Sequence, residues 1–313
     1  MYESFIASLN VVAPMMLLMA LGSFSRINGM ITREAMKQFD RVIFKIFMPV
    51  MLFRNIYDMD FTQGFAVREM IFAAVCLTIL FALSLTIPKF ITNDGNKSSV
   101  IGQALLRCNY LLCGVVVVEA LYGEGNTRVV VMLGMVVIPA INIFSAIILE
   151  LNRSGSADPL KLFIAVLKTP LIVGAILGFA FRLLNIPIIL PVWSVIRSVA
   201  SSTTTVSFFS LGAGLNMAAL QSDIKPLIWA IFLRMFIVPV IFMPLSIIMG
   251  FRGQSLCAMM VVFAAPTAVA SYPMAVAMGA DGDLAGQIVC ATTVLSVITI
   301  FLWTLLLKTF SLL

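Results

Sequence analysis

The chain has no histidine. Imidazole is the commonest general acid–base group and a principal metal ligand, so many hydrolase and metal-centre chemistries are excluded at once. Charge is nearly as scarce: 20 Lys and Arg with 14 Asp and Glu make up 11% of the 313 residues. No paired-carboxylate motif replaces the missing histidines, which argues against an intramembrane enzyme. The five cysteines, Cys76, Cys108, Cys113, Cys257 and Cys290, show neither metal-ligand spacing nor an extracellular disulfide framework. They read as small apolar fillers, and no metal or cofactor is implied. No linker is long enough to hold a soluble domain. Alternating strand patterns of the outer-membrane kind are absent too, which leaves helices. The net charge of +6 calls for no nucleic acid, because basic residues beside membrane spans meet anionic lipid.

What the chain has instead is apolar length. Hydrophobic residues make up 61% and mean hydropathy is +1.10, more apolar surface than a soluble domain can hide. Runs long enough for about 20 residues of helix fit a bilayer core. Ten spans are expected, at 5–22, 38–56, 65–88, 100–122, 129–150, 160–183, 189–213, 225–249, 255–279 and 285–310. Met1 to Ser4 lack the basic start of a cleaved secretory signal, so the run from Phe5 reads as a retained first helix. Arg26, Arg33, Lys37, Lys89, Lys97, Arg153, Lys161, Lys168 and Lys225 collect on one side. Arg54, Asp58, Asp60, Arg68, Arg128, Arg182, Arg252 and Lys308 fall on the other. The basic bias puts both termini outside a cell membrane.

The sequence repeats itself at an offset of 156: Pro14 lands on Pro170, Leu21 on Leu177, Gly22 on Gly178, Arg26 on Arg182 and Gly123 on Gly279. Residues 1–156 and 157–313 therefore read as two five-helix repeats within one membrane domain. Five is odd, so the second repeat enters the membrane upside down, and such carriers bind substrate near the midplane where the halves meet.

The expected chemistry lies in spans four and nine. Pro266 and Pro273 remove two amide donors from span nine and break its ladder, while Thr267 and Ser271 add hydroxyls. The amino-terminal end of a broken half-helix suits an anion. In span four, Asn109 is an amide deep in an apolar run beside Tyr110, and Gly114 eases an unwound backbone. Arg107 either attracts an anion or snorkels to the cytoplasmic interface. Asn142, three residues after Pro139, reads as a wall of the same cavity. Ser201, Ser202, Thr203, Thr204 and Thr205 either line a polar path or bond back to their own helix. Arg41, Lys45 and Arg234 read as paired or snorkelling, and Glu119 as a weak candidate for proton relay.

These motifs in this order resemble the auxin efflux carrier family in its short-loop bacterial form. The resemblance rests on Pro49 followed by Phe53-Arg54-Asn55-Ile56, on Asn109, Gly114 and Leu121-Tyr122-Gly123, and on Pro139-Ala140-Ile141-Asn142. It continues through Lys168-Thr169-Pro170 to Gly174 and through Ala265-Pro266-Thr267-Ala268-Val269 with Ser271, so it covers nearly the whole chain. The resemblance implies ten helices with crossed, broken fourth and ninth members, a transport part moving against a scaffold, and a small carboxylate as cargo. The chain departs from the family at Val116 and Thr205, where prolines are common, and at Ala270, where Asn is common. The function expected is secondary or potential-driven carriage of a small organic anion by alternating access. A sodium- or proton-coupled symporter is the alternative, with the span-seven hydroxyls as oxygen ligands. A receptor is the rival from another class. Expected partners are the anion and the bilayer, with a homodimer left open.

Overall fold

The computed structural model describes residues 2–58, 66–123, 126–154, 164, 167–215 and 224–313. Its described residues are all-helical apart from one isolated antiparallel bridge. The predicted start of the sixth span with Lys161, the outer acid Asp60, and Glu124 and Gly125 of the first-half turn lie outside the described residues.

Helix α1 runs Tyr2–Ile27. Helix α2 begins as Arg33–Val42, widens into a π turn at Ile43–Phe47 and continues over Met48–Tyr57. The wider turn immediately precedes Pro49, whose ring cannot fit a regular ladder. Helix α3, Val67–Thr86, tightens into a 3₁₀ turn at Ile87–Phe90 around Pro88. Helix α4 is in two pieces, α4a Gly95–Leu106 and α4b Tyr110–Tyr122. Asp94 caps the first by accepting from the Asn96 and Lys97 amides. Then come α5 Arg128–Ser154, α6 Pro170–Leu183 and α7 Leu190–Gly214. Helix α8 runs Ile224–Phe232, a π turn at Leu233–Ile237 ahead of Pro239, and Val238–Ile248. Helix α9 is again split, into α9a Gly253–Ala264 and α9b Ser271–Met278, before α10 Gly282–Thr309.

Among the described residues, four helical stretches are continuous, apolar and long enough to cross a membrane: Val67–Phe90, Arg128–Asn152, Ile224–Ile248 and Gly282–Thr309. Their outer faces are as apolar as their inner ones. On α3, Phe72, Cys76 and Leu80 are buried while Ile71, Val75 and Ile79 are exposed. A helix apolar on both its packed and its open face is built for lipid.

The helices pack in two groups. In the first, α1 lies on α7 and α2 on both α6 and α7; in the second, α3, α4, α5, α8, α9 and α10 enclose one another, and α1 also touches α4b and α10. The first group closes on glycine. A Cβ on Gly22 would stand 2.0 Å from the Phe209 carbonyl oxygen, and one on Gly178 would stand 2.9 Å from that of Phe53. Backbones this close exclude any side chain at either position. Between the two contacts, Thr203 of α7 donates its hydroxyl to the Phe47 carbonyl of α2 at 3.2 Å.

Candidate functional site

The two interrupted helices cross at their breaks. Residues 107–109 of α4 lie antiparallel to residues 266–268 of α9, with Cys108 bridging Thr267. The Asn109 amide donates to the Pro266 carbonyl at 2.9 Å, and the Ala268 amide donates to the Arg107 carbonyl at 3.2 Å. Proline supplies the ninth-helix break by removing its own donor. The fourth helix breaks without proline, because the ninth-helix backbone offers its amides and carbonyls the partners they lose. A freed backbone group deep in a bundle needs that compensation.

Each break leaves a helix carboxyl end in the interior, where the last carbonyls are unpaired and partly negative. Arg234, in the π turn of α8 and fully buried, answers both. Its Nη1 donates to Leu105 O at 3.0 Å at the end of α4a. Its Nε and Nη2 donate to Ala265 O at 3.1 and 2.8 Å, and Nη2 also donates to Val262 O at 3.1 Å, at the end of α9a. The π turn at Leu233–Ile237 includes Arg234 itself, a common place for such turns.

Arg107 lies at the crossing with the opposite arrangement. Its side chain is buried at 2% exposure, so the snorkelling alternative does not hold: its helix ends one residue earlier, and the crossing carries it inward. Nη2 donates to Asn142 Oδ1 at 2.7 Å and Nη1 to the Met274 sulfur at 2.8 Å. Nε has no partner, and neither has the nearby amide Nδ2 of Asn109. No described carboxylate forms an ion pair with Arg107, whereas Arg33 pairs with Asp283 and Arg54 with Asp58.

Above Arg107 opens a cavity of about 390 Å³. Asn109, Tyr110, Leu111 and Leu112 bring the amino-terminal end of α4b to it, and Ala268, Val269 and Ala270 bring the α9 break. Asn142 with Ile138 and Ile141 forms the α5 wall, Ser201 and Thr204 the α7 wall, and Met51, Arg54 and Asn55 the α2 wall. Every charged side chain in this lining is an arginine.

Among the sequence-predicted residues, Arg107, Asn109, Tyr110, Asn142, Ser201 and Thr204 are thus brought together. Tyr110 gives the cavity its ring edge, since its hydroxyl donates to Val130 O at 3.0 Å. The others lie outside the lining. Gly114 is inside regular α4b, not an unwound stretch, and a Cβ there would meet Val130 Cγ1 at 2.7 Å. Pro266 acts through the carbonyl that receives Asn109. Thr267 is buried, its amide donating to the Thr292 hydroxyl at 3.2 Å. Ser271 and Pro273 are buried in α9b. Ser202 and Thr203 bond back to Ser198 and Val199 carbonyls, the bland alternative for the span-seven hydroxyls. Arg41 and Lys45 are exposed, as snorkelling cations are.

Two contributors were not marked as site residues from sequence. Arg54 and Asn55 belong to the second-helix motif, but only folding turns that end of α2 toward the broken helices. Val116 and Ala270, the positions departing from the family pattern, both line the cavity.

An all-helical bundle with lipid-type outer faces, two interrupted helices and a donor-lined hollow at their crossing defines a membrane transport protein. Residues 7–304 match the membrane transport protein family model, and the chain belongs to that family, the auxin efflux carriers its motifs resemble. It is also similar to a curated protein of Methanothermobacter thermautotrophicus described as an uncharacterized transporter, at 21% identity over 97% of this chain and 99% of that one.

Proposed function

We propose that the protein carries a small organic anion, a carboxylate, by alternating access, with Arg107, Asn109 and the start of α4b as the binding floor. The observation that carries this reading is that the floor presents donors without acceptors to match. A buried guanidinium whose Nε has no partner, an amide whose Nδ2 has none either and the positive end of a half-helix all belong to the lining of one hollow. An uncompensated buried cation is costly, and a bound anion removes the cost. The walls of Met51, Leu112, Val115, Ile138 and Ile141 suit the apolar body of such an anion.

The architecture in this reading is ten spans in two inverted repeats, with α1, α2, α6 and α7 as scaffold. The packing supports it at the same offset of 156. Gly22 and Gly178 are repeat mates, and so are their contacts Phe209 and Phe53. The Phe47–Thr203 contact joins two mates directly. Gly123 and Gly279, also mates, both take positive φ, 90° and 78°, to close α4b and α9b. With both termini outside a cell membrane, the cavity beside Arg54 and Asn55 opens outward. An inside-negative potential then favours export by about 2.3 kcal/mol per charge per 100 mV.

Counterflow in proteoliposomes, after a thermal-shift screen of mono- and dicarboxylates, tests the reading. Anion exchange that weakens in Arg107→Met supports it. Binding without flux identifies a receptor, and strict sodium dependence identifies the symporter alternative.

A further inference from the structure

The transport reading leaves two buried acids unused among the described residues, Asp40 and Glu150. Asp40 of α2 is fully enclosed. Its Oδ1 accepts from the Ser210 hydroxyl of α7 at 2.5 Å, and its Oδ2 has no partner. The Tyr272 phenol of α9b lies beside the same carboxyl, pressed against Gly214 at the end of α7. Asp40 therefore stands where a half-helix of the second group meets two helices of the first.

The charged groups around it are engaged elsewhere or face out. Arg33 on the same helix pairs with Asp283 of α10 at 2.7 Å. Arg26 of α1 donates to the Ala213 and Leu215 carbonyls at 3.0 and 2.9 Å. Glu34, Lys37 and Arg41 are exposed. From α7 the Ser210 hydroxyl bears on Asp40, and from α9b the Tyr272 phenol. An ionised carboxylate enclosed with only the Ser210 and Tyr272 hydroxyls beside it and no cation carries a desolvation cost that neutral donors offset only in part. Tyr272 also borders a second hollow of about 360 Å³, whose lining includes Arg33, Lys37, Arg41, Asp281, Asp283 and Val276. Parting α9b from α2 and α7 would join that hollow to Asp40 and let water reach the carboxyl.

We propose that Asp40 is a proton-binding site linked to the transport movement, its neutral acid closing the α2–α7–α9b junction and its carboxylate opening it. The same α9 segment that presses Tyr272 against this junction carries Ala268 to Ala270 along the substrate cavity, so one displacement moves both. Linkage gives the sign. The closed junction holds the proton, so acid favours closure and alkali favours opening, by up to about tenfold per pH unit. The inference rests on alternating access, and its test needs no substrate, so it succeeds or fails apart from the counterflow result.

Val276→Cys in the full chain reports opening through its labelling rate with a membrane-impermeant maleimide. With Asp40 intact, labelling should rise with pH by more than it does in the Asp40→Asn, Val276→Cys double variant. The labelling of that double variant should rise with pH only by the thiol's own ionisation. Equal pH dependence in the two overturns the proposal. If the Asn variant does not fold, infrared spectra of the unmodified protein and of Asp40→Glu decide: a neutral buried carboxyl band that persists near neutral pH and shifts in Asp40→Glu supports it, and the lack of such a band overturns it.

Discussion

Two arginines lie enclosed at the helix crossing, and they are held in opposite ways. Arg234 is saturated, with four hydrogen bonds to three carbonyls at the ends of α4a and α9a. Arg107 is underfed, with a neutral amide, a sulfur and an open Nε. Burial alone therefore says little about a charged residue's role. What its donors find decides it: one guanidinium closes two helix ends, and the other waits for an acceptor from outside. The first should matter for folding and the second for ligand.

Arg234→Met should give the largest effect. Three buried carbonyls would lose their partners, a destabilisation on the order of 3 kcal/mol or more. Thermal unfolding in detergent and the yield of monodisperse protein measure it. A variant as stable as the parent would mean the carbonyls find water or each other, and the contrast with Arg107 would collapse.

Arg107→Met should do the reverse. Removing a cation without a counter-ion leaves stability unchanged or higher. Anion binding should weaken by about tenfold to a hundredfold, the worth of a hydrogen bond to a charged group. Thermal shift against carboxylate concentration reads both quantities in one titration. Lost stability with retained binding would make Arg107 a second lock.

Asn109→Ala follows with a smaller loss. Its backbone bond to Pro266 survives the substitution, so the crossing stands and only the open Nδ2 goes. A weakening of about fivefold is expected, as for one neutral hydrogen bond. Unchanged flux and affinity would remove Asn109 from the floor.

Much of this arrangement was legible in the sequence. Apolar runs with short polar breaks gave most span boundaries within about five residues of the helix ends, the start of the sixth lying outside the described residues, because a bilayer core calls for about 20 residues of apolar helix. The ninth-helix break was written in Pro266. The fourth-helix break was less visible, since its cause lies in a backbone 157 residues away: Asn109 bonds to Pro266. Arg234 and Arg107 were both visible as intramembrane cations, but nothing in their neighbours told lock from floor. The answer lay in carbonyls, which a sequence does not display. Asp40 was hidden for a similar reason, since its enclosing partners Ser210 and Tyr272 come from distant segments.

The smallest expected effect sharpens the contrast inside a single helix. Ser201 and Thr204 line the cavity, whereas Ser202, one residue along, is exposed outside that lining, although Ser201 and Ser202 both donate to Ser198 O, at 3.0 and 2.8 Å. Neighbours on a helix stand about 100° apart, so adjacent hydroxyls cannot share a face. Ser202→Ala should therefore change stability by less than about 0.5 kcal/mol and leave counterflow as it was. Replacing Ser201 and Thr204 with Ala and Val should alter which carboxylates exchange fastest, because two cavity hydroxyls give way to apolar surface. If Ser202→Ala shifted selectivity as much as that pair, the cavity wall would have to be a different face of α7.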